Sequence, residues 1–220
     1  METMSNECED RDLLAIEPVL FTAGGFESQH LLSGSDGVIS GTAFTSVAGN
    51  FVTAGIRPGM VLCVYTASPA EAKAYEIVSV GSAHSLSVSV LRGDEQADPV
   101  APPPGTALKF FVCSFGPQIA AAVEALEAKL RLVSEAAGIA PADYVDSPQF
   151  RQAAALGAIA AIFTARAANT GDSDANWVKA EHYRQQHIAA VSAVRLAKDA
   201  DGDGYAESTR TLGHVSLRRA

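Results

Sequence analysis

The sequence Leu86-Ser-Val-Ser-Val-Leu91 alternates apolar and hydroxyl side chains, and apolar segments lie on either side of it. Alternation with a period of two is the pattern of a β-strand that has one buried and one solvated face. Met60-Val-Leu-Cys-Val-Tyr65 is apolar throughout, which favours a strand buried on both faces. With Tyr75-Glu-Ile-Val-Ser-Val80 and Ala107-Leu-Lys-Phe-Phe-Val-Cys113, these segments predict a small antiparallel β-barrel or sandwich over residues 33–113. Gly37-Val-Ile-Ser-Gly41 and Ala43-Phe-Thr45 are predicted as further short strands, and Phe51-Val-Thr53 precedes a predicted turn over residues 55–59.

Helical patterns flank this β-region. Arg11-Asp-Leu-Leu-Ala-Ile-Glu17 is a short helix candidate that Asp10 could cap. Beyond Gly116-Pro117, apolar residues recur at steps of three and four, the spacing of one helix face. An Ala-rich helix over 149–168 and another that begins near Asp172 or Asp174 complete a predicted helical bundle.

The fold class expected from these patterns is α+β, with a helical bundle, an inserted β-barrel or sandwich, and a C-terminal β-hairpin or extended arm. The predicted domains are a discontinuous helical domain over 1–32 and 114–192, an inserted β-domain over 33–113, and the arm over 193–220. A β-domain inserted into a helical domain suits an assembly protein at least as well as an enzyme.

Composition narrows the function classes. The chain has 220 residues, of which 48% are hydrophobic and 19% charged, as in a folded protein with a core. With 25 acidic and 16 basic residues the net charge is −9, which argues against a large basic face that binds nucleic acid. An acidic surface repels phosphate, so it would let DNA pass without binding it. Neither a secretory signal nor a membrane span is recognisable, so a cytoplasmic location is expected. Cys63 and Cys113 lie in apolar runs and are expected to be buried free thiols.

The strongest metal candidate is Asp199-Ala-Asp-Gly-Asp-Gly204. Asp199, Asp201 and Asp203 occupy the first acidic positions of a calcium loop, but the twelfth position is Arg210 where an EF-hand has a glutamate. Asp and Gly are also the residues that tight turns require, so a structural turn is the preferred interpretation and bound calcium the alternative.

Catalytic patterns are not recognisable in the sequence. His182 and His187 are five residues apart, so on a helix they point in different directions and are interpreted as exposed histidines rather than zinc ligands. No nucleophile elbow or phosphate-binding loop is recognisable either. We therefore expect that the chain is not an enzyme and has no resident cofactor.

Basic residues are concentrated near the end of this acidic chain. Arg210, Arg218 and Arg219 fit either ordinary solubility or an arm that docks on an acidic neighbouring surface. We take these arginines as candidate partner contacts.

Four segments resemble head-tail connector (adaptor, or neck) proteins of tailed bacteriophages: Asp12-Leu-Leu-Ala-Ile-Glu-Pro18-Val-Leu-Phe21, the Ala-rich helix from Phe150 to Ala168, and the closing Asp199–Gly204 and Leu212–Arg218 segments. The resemblance covers the helical parts and the tail, whereas the β-region departs from the nearly all-helical members. It implies a structural virion protein that assembles as a homo-oligomeric ring on the portal, contacts tail or neck proteins, and lets DNA pass without specific binding.

Two other classes remain open from the residues. One is a small enzyme or ligand-binding protein with a pocket inside the β-barrel, and the other is a calcium-binding interaction module that rests on the acidic turn alone.

Overall fold

The computed structural model describes residues 8–22, 29–137, 144–145, 148–170, 173–198 and 208–211. They form an α+β protein with a closed, six-stranded antiparallel barrel. The chain divides into two compact units: residues 9–116 form the barrel unit, and the described residues after 116 belong to the helical unit. This division differs from the predicted domain boundaries, because residues 9–22 and 29–32, which were assigned to the helical domain, group with the barrel.

In the barrel unit, helix α1 (Asp10–Ile16) and a 3-10 turn (Pro18–Phe21) precede the strands. The strands are β1 (Gln29–Ser40), β2 (Ala43–Thr45), β3 (Val61–Tyr65), β4 (Lys73–Ser82), β5 (Ser85–Ser89) and β6 (Gly105–Ser114), with a second 3-10 turn at Pro69–Glu71. Their order around the barrel is β1-β2-β5-β4-β3-β6, and β6 pairs with β1 to close it. Of the two β-architectures that the sequence left open, the barrel is therefore the one observed.

The barrel interior is packed with aromatic and aliphatic side chains. Phe110 lies at its centre, with its ring centroid 5.0 Å from that of Phe44 and 6.4 Å from that of Phe51. Glycines of β1 leave room for these rings, because a Cβ at Gly34 would lie 2.5 Å from Phe110 and one at Gly37 would lie 2.8 Å from Phe44. The remaining members of this core are Ile39, Ile56, Leu62, Val64, Tyr75, Ile77, Leu86, Val88, Leu108 and Val112.

Phe51 reaches the core from a turn, in which the Ile56 N–H donates to the Phe51 carbonyl at 3.0 Å. One local prediction in this unit was wrong. Asp10 does not cap α1: the N-cap is Glu9, and the Asp10 carboxylate instead accepts a hydrogen bond from the Phe115 N–H at 2.7 Å.

The helical unit contains α2 (Gly116–Ala137), α3 (Pro148–Thr170) and α4 (Ser173–Ala193), together with a small sheet of β7 (Tyr144–Val145), β8 (Arg195–Lys198) and β9 (Ser208–Thr211). Small residues let the helices approach closely. A Cβ at Gly157 of α3 would lie 3.0 Å from the His187 ring of α4 and 3.6 Å from the Ala122 Cβ of α2. Helix α3 is buried over much of its surface. Its solvent-inaccessible alanines are Ala153, Ala154, Ala155 and Ala158.

Candidate functional site

The site residues that the sequence predicted lie mostly outside the described residues. This holds for Asp199, Asp201 and Asp203 of the acidic turn and for Arg218 and Arg219. Arg210 lies in β9, where its backbone pairs with Leu196 of β8. Among the described residues no cluster of His, Cys, Asp and Glu could hold a metal ion, so the calcium alternative stays a prediction about the acidic turn.

The two α4 histidines are not brought together. His182 is exposed, and its Nε2 lies 2.8 Å from the Gln186 amide nitrogen. His187 is half-buried rather than exposed as predicted, because its Nδ1 lies 2.8 Å from the Ala153 carbonyl oxygen of α3. His187 thus joins two helices and is already engaged in a structural contact.

A buried cluster of charges, which the sequence patterns did not reveal, lies on the outer side of the barrel. Glu76 of β4 is 1% exposed, and its carboxylate lies between the guanidinium groups of Arg11 and Arg92. Its Oε1 accepts a hydrogen bond from Arg92 Nε, whereas Oε2 lies 3.0 Å from Arg11 Nε in an ion pair without hydrogen-bond alignment. We call these three residues the charge cluster.

Both arginines of the charge cluster have further partners. Arg11 also donates to the Arg92 carbonyl at 2.8 Å and lies 3.2 Å from Glu95 Oε1. Arg92 donates to the carbonyls of Glu95 and Ala97, so both arginines bind the loop that follows β5. These contacts attach α1 and that loop to the barrel. Because every guanidinium here already has a carboxylate or carbonyl partner, the arrangement serves as a clamp rather than as an anion site.

Asp10 carries a second buried carboxyl group. Burial raises its pKa from 3.8 to about 6, and the hydrogen bonds from the Phe115 N–H and Ser114 oppose that rise only in part. Its hydrogen bond joins the start of α1 to the residue that follows β6.

Two thiols lie on the outer face of neighbouring strands, as buried free cysteines, which confirms that prediction. The Cys63 thiol donates to the Phe21 carbonyl at 3.1 Å, and its interaction with Cys113, together with burial, raises the pKa of Cys63 well above its usual value. A thiol that is held protonated in this way is a poor nucleophile.

A hydrogen-bonded loop after β2 presents apolar side chains to solvent. Asp36 accepts from the Ala48 N–H at 2.8 Å and from the Ser46 hydroxyl at 2.7 Å, and these bonds lower its pKa. On the same loop Val47 is 88% exposed and Val52 is 61% exposed. The two hydrogen bonds to Asp36 come from the residues on either side of Val47 and hold that part of the loop in place.

Helix α4 has a second exposed apolar set, consisting of Trp177, Val178 and Ile188. Between them Glu181 accepts two hydrogen bonds from Arg184, each 2.8 Å long. Hydrogen bonds from Arg184 and Gln185 lower the pKa of Glu181. In turn, the hydrogen bond to Glu181 raises the pKa of Arg184.

Comparison with known proteins gives no relative. No protein-family model, curated protein or solved structure matches this chain. Within the described residues, none of the helices is both long and apolar enough to cross a bilayer.

Proposed function

We propose that this chain is a head-to-tail adaptor of a tailed bacteriophage. It assembles as a homo-oligomeric ring between the portal protein and tail or neck proteins, first in the host cytoplasm and then in the virion. The proposal starts from the resemblance of residues 12–21, 150–168, 199–204 and 212–218 to such adaptors. The observation that carries it is the exposure of large apolar side chains on both units, with Val47 at 88% and Val178 at 66%.

A ring subunit has to contact several neighbours at once, which requires separate apolar patches on its surface. Val47 and Val52 lie in the barrel unit, whereas Trp177 and Ile188 lie in the helical unit. Two patches on two units suit a protein whose work is done by contacts.

The packed barrel supports a contact role over a ligand-binding one. Phe44, Phe51 and Phe110 are at most 1% exposed and fill the interior where a small ligand would otherwise bind. The net charge of −9 suits DNA that passes the ring without being held, since phosphate is repelled by an acidic surface.

In this proposal α2, α3 and α4 form the helical bundle that surrounds the passage, and the C-terminal arm with Arg210, Arg218 and Arg219 contacts an acidic neighbour. The close approach of Ala122 and His187 to Gly157 supports the packing of three helices around that glycine. The excess of acidic residues in the chain supports the charge match with the arm.

The test is made on virus particles. Mass spectrometry of purified virions should find the chain in a ring-like ratio to the portal protein, and the purified chain should bind capsids that contain the portal. A Val47→Asp variant should bind these capsids less well, whereas Thr53→Asp, which alters another exposed residue after β2, should bind as the wild type does. Absence of the chain from virions, together with no binding to portal-containing capsids, would refute the proposal.

A further inference from the structure

One face of α4 carries four residues in a symmetric order. Trp177, Glu181, Arg184 and Ile188 follow one another at steps of four, three and four. With about 100° of rotation per residue, they lie within an arc of about 60° on the helix. We call them the α4 stripe.

The α4 stripe faces solvent. Trp177 is 57% exposed and Ile188 is 51% exposed, while the side chains of Glu181 and Arg184 are 37% and 60% exposed. Helix α4 packs on α3 through other residues, of which Ala180 and Tyr183 are buried. The stripe is therefore available to another molecule.

The order apolar, acidic, basic, apolar is self-complementary about its midpoint, which falls between His182 and Tyr183. In an antiparallel pairing of two such helices about that midpoint, Trp177 would face the partner's Ile188, and Glu181 would face the partner's Arg184. A parallel pairing in register would instead place like charges opposite each other, which is unfavourable.

We propose that the occupant of the α4 stripe is a second copy of this chain, docked antiparallel about a two-fold axis. A two-fold contact uses the same patch on both subunits, which is what a self-complementary stripe provides. It differs from the contact between neighbours in a cyclic ring, where two different patches meet. The inference thus concerns the free chain and goes beyond the proposed adaptor function.

The dimer is weak. Its core consists of one tryptophan and one isoleucine from each copy, and interfaces well below about 1,200 Å² belong to transient complexes. Association is therefore expected in a concentration series that extends from micromolar to millimolar. Trp177 is the single tryptophan of the chain, so its emission should shift to the blue as the dimer forms and the indole is buried.

The decisive experiment is charge reversal with mixing, followed by sedimentation velocity on the full chain. Glu181→Arg and Arg184→Glu should each weaken self-association by about tenfold, because each places like charges opposite one another twice per dimer. Mixed in equal amounts, the two variants should associate at least as well as wild type. In the mixed dimer, the Glu181→Arg copy presents two arginines, and the Arg184→Glu copy presents two glutamates opposite them.

The control is Gln186→Asp, which changes an exposed residue that lies about 140–180° from the stripe residues on the helix. It should leave association unchanged, whereas Ile188→Asp should abolish it. Circular dichroism establishes that every variant is folded. A wild-type chain that stays monomeric throughout the series, or a mixture no better than the single variants, would overturn the proposal. Neither result bears on the presence of the chain in virions.

Discussion

The charge cluster offers the sharpest test of how the barrel unit is held together. Glu76→Gln keeps the size of the side chain and removes its charge. The guanidinium groups of Arg11 and Arg92, whose side chains are each 8% exposed, would then lie beside a neutral amide with no buried carboxylate between them. We expect the barrel unit to lose stability.

The expected magnitude follows from burial. Removing one partner of a buried ion pair costs about 3–5 kcal/mol, because the remaining charge stays desolvated. Glu95 still contacts Arg11, but it is 41% exposed, and pairs of that kind contribute about 0–1 kcal/mol. We therefore expect a loss of about 3 kcal/mol or more in the free energy of unfolding of the barrel unit.

Native-state hydrogen exchange measures this loss locally, which avoids treating a chain of two units as a two-state system. The amides of Arg11 and Ile77, which donate to Gly59 and Met60, are suitable reporters. A loss of about 3 kcal/mol raises their exchange rate about 150-fold under equilibrium-opening conditions. Glu71→Gln, at an exposed glutamate, should change the rate little.

A further variant separates the cost of a broken cluster from the value of an intact one. Replacing Arg11, Glu76 and Arg92 together by Met, Leu and Met removes all three charges, and such replacements are often neutral or stabilising. The triple variant should therefore be more stable than Glu76→Gln. A loss below about 1 kcal/mol for Glu76→Gln, or a triple variant less stable than it, would refute the reasoning.

Three other predictions follow from single positions. Folding raises the pKa of Asp10 from 3.8 to about 6, so the folded state retains a proton that the unfolded state releases between these values, and stability falls as pH rises through that range. Asp10→Asn should remove this loss of stability, which reaches about 3 kcal/mol at pH values above the folded pKa. Denaturant unfolding at pH 4 and pH 7 should therefore show that the variant's free energy of unfolding rises relative to wild type only at pH 7. Gly59→Ala should lower the thermal unfolding temperature more than Gly55→Ala does. Both glycines have positive φ, +80° and +71°, but only the Cβ at position 59 would overlap the Glu9 side chain. Equal losses for the two variants would contradict this geometry. Calorimetric titration decides between turn and calcium site at Asp199, Asp201 and Asp203, and we expect no heat at millimolar calcium, in keeping with the turn.

Periodicity predicted most elements because burial follows it directly. Helix α1 and strands β2 and β3 begin and end within about one residue of their predicted limits, and α2 begins at the predicted Gly116. Free, buried Cys63 and Cys113 were likewise expected from their apolar neighbours.

The part of β1 before Gly37 was missed because its composition is that of a turn. It contains Gly34 and Asp36, which have low strand propensity. Gly34 and the following Gly37 are explained by the rings of Phe110 and Phe44, which occupy the space of a side chain, and such rings come from distant parts of the sequence. Tertiary packing here outweighs local propensity.

The charge cluster was invisible in the sequence for a similar reason. Glu76 alternates with the core residues Tyr75 and Ile77, so its position indicates a solvated outer face. Helix α1 and the loop after β5 cover that face and supply Arg11 and Arg92. A lone acidic residue between two core positions of the strand was the one available signal, and it did not identify the partners.

Barrel closure also has a consequence for how the chain folds during synthesis. Strand β1 pairs with β6, at the opposite end of the 29–114 span, and Asp10 binds the Phe115 N–H beyond it. Contacts between such distant residues form slowly, because the intervening chain has to be ordered first. A ribosome must therefore release the whole of residues 9–116 before the barrel can close, so we expect the first five strands to depend on chaperone protection until β6 emerges.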